Sequence, residues 1–174
     1  MGESGCLWKL MAKKISTYNP TNIYEEFECS MDEKFRVLLP AALKKQIDEQ
    51  AENTFKILRG SHKNLIVFPL HDWNEFSKKL NALNKQNPRV AKAVRQFTSG
   101  LTTVVLDAGG RLLLPKNLCE EKGVKKDIVI NGMGNSFEIW EKKEYMKALK
   151  ENEPESLQLI DEIIGGMDVS NQEN

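Results

Sequence analysis

The chain has 174 residues with 25 basic and 25 acidic side chains, so its formal net charge is zero and bulk charge does not mark it as a nucleic-acid binder. That length allows one compact domain or two small units that must pack together, because a half this small buries only a marginal share of its own surface. Cys6, Cys29 and Cys119 are far apart and form no CxxC pair, which excludes a disulfide scaffold or thiolate zinc site; no apolar run of membrane-spanning length and no secretory segment is read, so cytoplasmic residence is expected.

Residues 1–22 read as a flexible leader with a turn at Asn19-Pro20-Thr21-Asn22. From Tyr24 to Met31 apolar and polar residues alternate, which predicts a half-buried strand. A loop centred on Glu33-Lys34 leads into a second strand, Phe35 to Leu39, and the two are expected to form a hairpin. Pro40 suits the first turn of a short helix over Ala41 to Ile47, where its missing donor has no partner to lose. Phe55–Leu58 and Leu65–Phe68 predict another hairpin around Gly60–Asn64. Trp73, Phe76, Leu80 and Leu83 then recur at helical spacing, and Val90, Val94 and Phe97 mark a further short helix after the break at Asn84–Pro88. The same order returns as Leu101–Leu106, Arg111–Leu114, a helix from Pro115, Asp127–Ile130, Phe137–Trp140 and Lys142–Leu149. The expected division is therefore a first repeat over 23–73, connecting helices over 74–98, a second repeat over 99–149 and an acidic flexible tail over 150–174, which has no Lys or Arg from Glu151 onward.

The repeat is sharpest at Asp32–Pro40 and Asp107–Pro115, which start 75 positions apart and share Asp-x-x-x-Arg-apolar-Leu-Leu-Pro. By Arg59–Phe68 against Asn131–Trp140 the offset is 72, and Asp72-Trp73 falls opposite Glu144-Tyr145, so three extra residues are expected between Pro40 and the next strand. A charged loop present twice favours recognition of something repetitive over one catalytic pocket. Across the mouth of a hairpin, Asp can bind the Arg fork with paired hydrogen bonds. Two compatible roles follow: a salt bridge pinning the hairpin, or an Arg fixed in place to meet phosphate or a base edge. Gly109 and Gly110 allow backbone freedom and close approach; Phe35 occupies the place of Gly110, so the first turn must be built differently or its ring must pack outside. Candidate DNA contacts are Lys34, Arg36, Lys63 and Arg111, with Lys44 and Lys45 on phosphate, and Asp32, Asp107, Gly109 and Gly110 position the loops.

An enzyme reading finds few tools. His62 and His71 read as turn or helix-start residues, Cys29 and Cys119 as packed thiols, and Trp73 and Trp140 as packing rather than base-stacking groups. Gly109-Gly110 lacks the Lys-Ser/Thr completion of a nucleotide-binding loop, and no Ser-His-Asp set, zinc spacing or carboxylate pair is found. No catalytic residue, metal, cofactor, small-molecule substrate or membrane partner is expected.

Over roughly Ile23 to Leu149 the chain resembles the MraZ family of regulators encoded at the head of bacterial division and cell-wall gene clusters. The resemblance rests on Phe27–Met31, Asp32, Arg36–Pro40, Phe68–Trp73, Arg95-Gln96-Phe97, Asp107–Pro115 and Glu138-Ile139-Trp140. It implies a mainly β, α+β fold with peripheral helices, in which two AbrB/MazE-like swapped-hairpin repeats form a pseudo-symmetric barrel. It also implies a homo-oligomeric ring that binds short direct repeats in promoter DNA, with Arg36 and Arg111 at the family's Arg positions and Asp32 and Asp107 at its Asp positions. This chain departs from the usual Lys-Gly-Arg of the first loop with Lys34-Phe35-Arg36, and has Lys44 or Lys45 where an Arg is usual. The expected function is sequence-specific transcriptional regulation by a protein on the nucleoid; the alternative is a ring-forming interaction scaffold without sequence-specific DNA binding. Self-association is also expected from the Trp73, Phe76, Leu80, Leu83 stripe, which a single barrel does not obviously need.

Overall fold

A computed structural model describes residues 18–151 and 153–170. The first copy forms β1 (Glu26–Ser30), β2 (Arg36–Leu38), α1 (Ala41–Gln46), a 3-10 turn (Glu49–Ala51), β3 (Thr54–Arg59) and β4 (Asn64–Pro69). After α2 (Leu70–Ala82) and α3 (Pro88–Thr98), the second copy forms β5 (Thr102–Val105), β6 (Arg111–Leu113), α4 (Lys116–Lys122), β7 (Asp127–Gly132), β8 (Phe137–Glu141) and α5 (Lys142–Lys150). A final helix, α6 (Glu153–Ser170), occupies most of the stretch expected to be a flexible tail. The expected leader lies outside the described residues as far as position 17. Its last residues are tied to α2, where the Tyr18 hydroxyl donates to Asp72 at 2.7 Å and the Thr21 hydroxyl donates to the same carboxylate at 2.5 Å.

The helix boundaries follow local chemistry. Pro40 and Pro115 stand immediately before α1 and α4. Asn87 caps α3 by accepting from the Arg89 amide, with Pro88 in the first turn. Gly123 ends α4 in the left-handed conformation, φ 70°.

The strands exchange partners between the copies. A six-stranded antiparallel sheet runs β1-β7-β8-β4-β3-β5, and β2 and β6 form a separate two-stranded ribbon. The first copy's β1 thus pairs with β7 of the second, and β5 of the second pairs with β3 of the first. At the centre of the large sheet Ile66 faces Glu138, and at the centre of the ribbon Val37 faces Leu112. Both are pairs of equivalent positions, so one pseudo-two-fold axis relates the copies.

Two expectations are corrected here. The segments 24–31 and 35–39 do not form a hairpin ladder, because β1 and β2 share only the bridge Met31–Val37 and β2 pairs with β6 instead. Nor is the expected barrel closed: the large sheet ends in free edges at β1 and β5, and the ribbon stays a second sheet. β2 and β6 run three residues each before Pro40 and Pro115, which have no N–H to extend a ladder toward those edges. More residues lie in helices than in strands, so the fold is mixed α/β with two sheets, consistent with paired AbrB-like repeats, rather than a mainly β barrel. The three extra residues of the first copy are also divided. Five residues (60–64) separate the closing pair Arg59 and Leu65 of the β3–β4 turn, against four (133–136) between Gly132 and Phe137; the remainder lies before β3.

The main core draws on both copies: Val37, Leu39, Leu43, Phe55, Ile57, Leu65 and Val67 from the first meet Leu112, Leu114, Leu118, Ile128, Ile130, Phe137 and Ile139 from the second. Outside the sheet, Phe68 meets Trp73 edge-on at 5.7 Å, and Trp140 meets Tyr145 in the same way at 5.9 Å. This matched pair shows each copy docking its following helix by the same aromatic contact. The apolar stripe of α2 is covered by its own chain: Trp73, Phe76 and Leu80 pack with Leu58, Ile66, Phe68, Phe97 and Leu101, leaving only Leu83 exposed. Most of the stripe is therefore accounted for by packing within the chain.

Candidate nucleic-acid interface

The two Asp loops have the same backbone. The amide of Phe35 donates to the Asp32 carbonyl at 3.0 Å, and that of Gly110 to the Asp107 carbonyl at 2.9 Å. The Asp32 carboxylate accepts from the Lys34 and Arg36 amides, and the Asp107 carboxylate from the Gly109 and Arg111 amides, all at 2.9 Å. Each carboxylate thus acts chiefly as a strut for its own loop. The Arg36 amide, helped by the Arg36 side chain and the Lys34 amide, holds the Asp32 carboxyl below its ordinary pKa; the Arg111 amide, with that of Gly109, does so for Asp107.

The side chains differ. Arg36 Nε donates to Asp32 Oδ2 at 2.8 Å, a single bond rather than the expected paired fork. The Arg111 guanidinium makes no hydrogen bond to Asp107 among the described residues, although its charge is felt there together with that of Arg36. Phe35 has φ 61° and Gly110 φ 78°, so the first turn is not built differently: Phe35 accepts the left-handed conformation, and its ring packs against the main core instead of outside. The helix facing each loop compensates. Phe35 shares a cavity with the small Cys119 of α4, whereas a Cβ on Gly110 would come within 2.9 Å of Lys44 Nζ from α1.

The ribbon brings the loops together. Strand alternation sends Val37 and Leu112 into the core, both 0% exposed, and turns Arg36, Leu38, Arg111 and Leu113 to the other face. Arg36 stands opposite Leu113 and Leu38 opposite Arg111, and the two leucines remain 61% and 52% exposed. Two arginines and two leucines therefore form a symmetric outward patch. The Leu39 amide donates to the Gly110 carbonyl and the Leu114 amide to the Phe35 carbonyl, fastening each loop to the other copy's strand.

The predicted lysines are divided. Lys34 is exposed in the first loop; Lys44 covers the second; Lys45 lies beside Lys44 on a groove floored by Leu38, Leu39 and Pro40. Lys63 belongs to the β3–β4 turn, where Glu144 balances its charge at 3.1 Å. Two basic residues escaped sequence reasoning: Lys125 and Lys126 line the cavity beside Asp32, Glu33 and Phe35. Each loop is thus bordered by lysines of the other copy. The run Lys125-Lys126 before β7 was the available signal, but its neighbour is set by the exchange of strands.

The other polar groups are structural. His71, buried in the first turn of α2, lies 3.2 Å from Asp72, and His62 stacks on Trp140 in the β3–β4 turn. Burial pushes the Cys119 thiol up to about 12 and also raises Cys29, keeping both protonated and unreactive at neutral pH. No cluster of three or more His, Cys, Asp or Glu that could hold a metal ion occurs among the described residues, and no helix among them is long and apolar enough to cross a membrane.

Two strand-exchanged copies with paired Asp loops define the class as an AbrB-like swapped-hairpin protein. The family described as "MraZ protein, putative antitoxin-like" matches residues 23–96 and again 97–162. The chain is 35% identical over 148 residues to the transcriptional regulator MraZ of Christiangramia forsetii, covering 84% of this chain and 96% of that protein. It is 33% identical to the same regulator of Flavobacterium psychrophilum (81% and 90% covered) and 39% identical to that of Symbiobacterium thermophilum (66% and 80% covered). The chain belongs to the MraZ family, and is a regulator of that type rather than an enzyme.

Proposed function

We propose that this protein is a sequence-specific DNA-binding regulator that occupies short direct repeats in the promoter of a division and cell-wall gene cluster as a homo-oligomer, and so works in the cytoplasm on the nucleoid. The observation that carries this reading is the outward Arg36/Arg111 pair on the ribbon. The major groove of B-DNA admits a two-stranded ribbon, and an Arg fork can bind both acceptors of a guanine edge, for about 1 to 3 kcal/mol of discrimination. Leu38 and Leu113 supply apolar contact between the arginines. Lys34, Lys44, Lys45, Lys125 and Lys126 border the loops and meet phosphates, which adds salt-dependent affinity without sequence preference. Lys63, neutralised by Glu144, takes a lesser part. One module binds weakly, so linked copies on repeated DNA gain avidity when the spacing fits.

Protection mapping on DNA upstream of the protein's own gene tests the reading, followed by titrations at two salt concentrations. Arg36→Ala and Arg111→Ala are expected to lower affinity for the repeat by about 5- to 150-fold while changing scrambled DNA much less. Lys44→Ala or Lys126→Ala weakens both DNAs alike and flattens the salt dependence. Wild-type specificity in both Arg variants would make these residues loop pins; partner capture that ignores salt, without DNA affinity, would favour a protein scaffold.

A further inference from the structure

Between Phe76 and Leu106 the chain has six Lys or Arg and no Asp or Glu, although the whole molecule is formally neutral. Helix α3 gathers that excess on one side. Val90, Val94 and Phe97 are half-buried, and Phe97 packs on the Leu58, Phe68 and Trp73 cluster. Arg89, Lys92 and Arg95 recur every three residues on the opposite side of the helix, all exposed, and Lys85 is exposed in the turn before it. None of these four cations has an acidic partner among the described residues. A solvated helix face ordinarily mixes both signs, as α2 does with Glu75 and Lys78. Like charges one turn apart repel, so a face of one sign is stabilised by an anion from outside.

The chemistry of the face selects the anion. Ala93 and Gln96 stand among the cations, and α3 has no exposed large apolar side chain. Protein partners bury an apolar centre depleted in charge, whereas nucleic-acid interfaces are polar and strongly basic. The acidic helix α6 fits poorly for the same reason, since its exposed Leu157, Ile160 and Ile164 would find no apolar surface there. A helix lying in a lipid surface needs its apolar side free to enter the acyl boundary, and that of α3 is packed on its own chain.

We propose that the outward face of α3 is a second nucleic-acid contact, in which Arg89, Lys92 and Arg95, with Lys85 at the helix start, meet the phosphates of duplex DNA outside the base pairs read by the ribbon. The chain passes from α3 through the four residues of β5 to the second Asp loop. That is about 14 Å of strand, so face and loop lie at opposite ends of β5. Phosphate contacts carry no sequence information; the face holds the protein on any duplex, and the ribbon selects the site. The inference rests on the reading of DNA as the ligand, but uses none of the ribbon residues.

Three full-length variants test it. Arg89→Gln with Lys92→Gln and Arg95→Gln removes the face; Lys143→Gln with Lys147→Gln and Lys150→Gln removes the same charge from α5; Arg89→Lys with Arg95→Lys keeps the charge. All of these side chains are exposed, and unfolding curves confirm that the variants fold. Each is titrated by fluorescence anisotropy against a scrambled duplex, and against the duplex protected upstream of the protein's own gene, between about 50 and 200 mM salt. Loss of the face is expected to flatten the slope of log affinity against log salt by about 3 on both duplexes, with the preference for the protected duplex unchanged. The α5 variant and the Lys variant are expected to keep the parent slope. A parent slope in the face variant overturns the inference, as does equal flattening in the α5 variant, which would make the effect one of net charge. Tighter binding of the parent to poly-glutamate than to duplex, lost with the face, overturns it in favour of an acidic protein. No preference for the protected duplex overturns the ribbon reading alone, because the scrambled duplex still reports on the face; a parent that binds neither duplex overturns both.

Discussion

At the residue scale, Phe35 and Gly110 show how one backbone accommodates two unlike side chains. An L-residue in the left-handed region costs about 1 to 2 kcal/mol, which glycine avoids. Phe35 offsets that cost by packing its half-buried ring on the core opposite the small Cys119. Phe35→Ala loses the ring and keeps the strain, whereas Phe35→Gly loses both, so the Gly variant should be the more stable by about 1 kcal/mol in urea unfolding. The order reverses if the turn leaves the left-handed region once the ring is gone. The Asp struts predict a pH response. Their folded pKa values lie below the ordinary value near about 4, so their contribution is complete above that value and is lost as pH falls through the folded pKa. Asp32→Asn with Asp107→Asn should therefore flatten the acid limb of a plot of stability against pH, and leave the slope above pH 6 unchanged. The spacing showed that an Asp and an Arg share each loop; that each carboxylate holds backbone amides rather than a paired Arg fork was not legible from it. Nor were the lysines opposite them.

At the scale of elements, the ribbon is the part that carries both loops. Val37 and Leu112 face each other on its axis, so a defect at either reaches both Asp loops. Leu112→Ala should cost about 2 to 5 kcal/mol and raise amide exchange in the first loop as well as the second, measured by mass spectrometry of peptides spanning each. Exchange confined to the second loop would mean that the ribbon does not couple them. The sequence shows two strands of the right residues at β2 and β6, and period two correctly turns the arginines away from Val37 and Leu112. What it did not show was the partner: local proximity suggested β1 for β2, and the structure pairs β2 with β6. The hairpins β3–β4 and β7–β8 were legible as two apolar strands joined by a short polar turn, and both have continuous ladders.

At the scale of the molecule, the exchange of β1, β2 and β5 makes the copies interdependent, since every edge strand of the large sheet is paired with a strand of the other copy. Residues 18–98 and 99–170, expressed apart, should therefore each lack a cooperative unfolding transition as monomers, and co-expression should restore one. A fragment that unfolds cooperatively as a monomer would show that the copies are independent domains. The chain's own residues determined the doubling, the Asp and Arg in each loop, the helix starts at the prolines and the family, because these depend on local spacing and on side chains a few positions apart. The tertiary structure alone decided that the barrel stays open, that the α2 stripe is covered from within, that each loop faces lysines of the other copy and that α6 is a helix with an uncovered apolar face. Each of these turns on which distant surfaces meet, and the period of a segment specifies which face is buried without specifying against what.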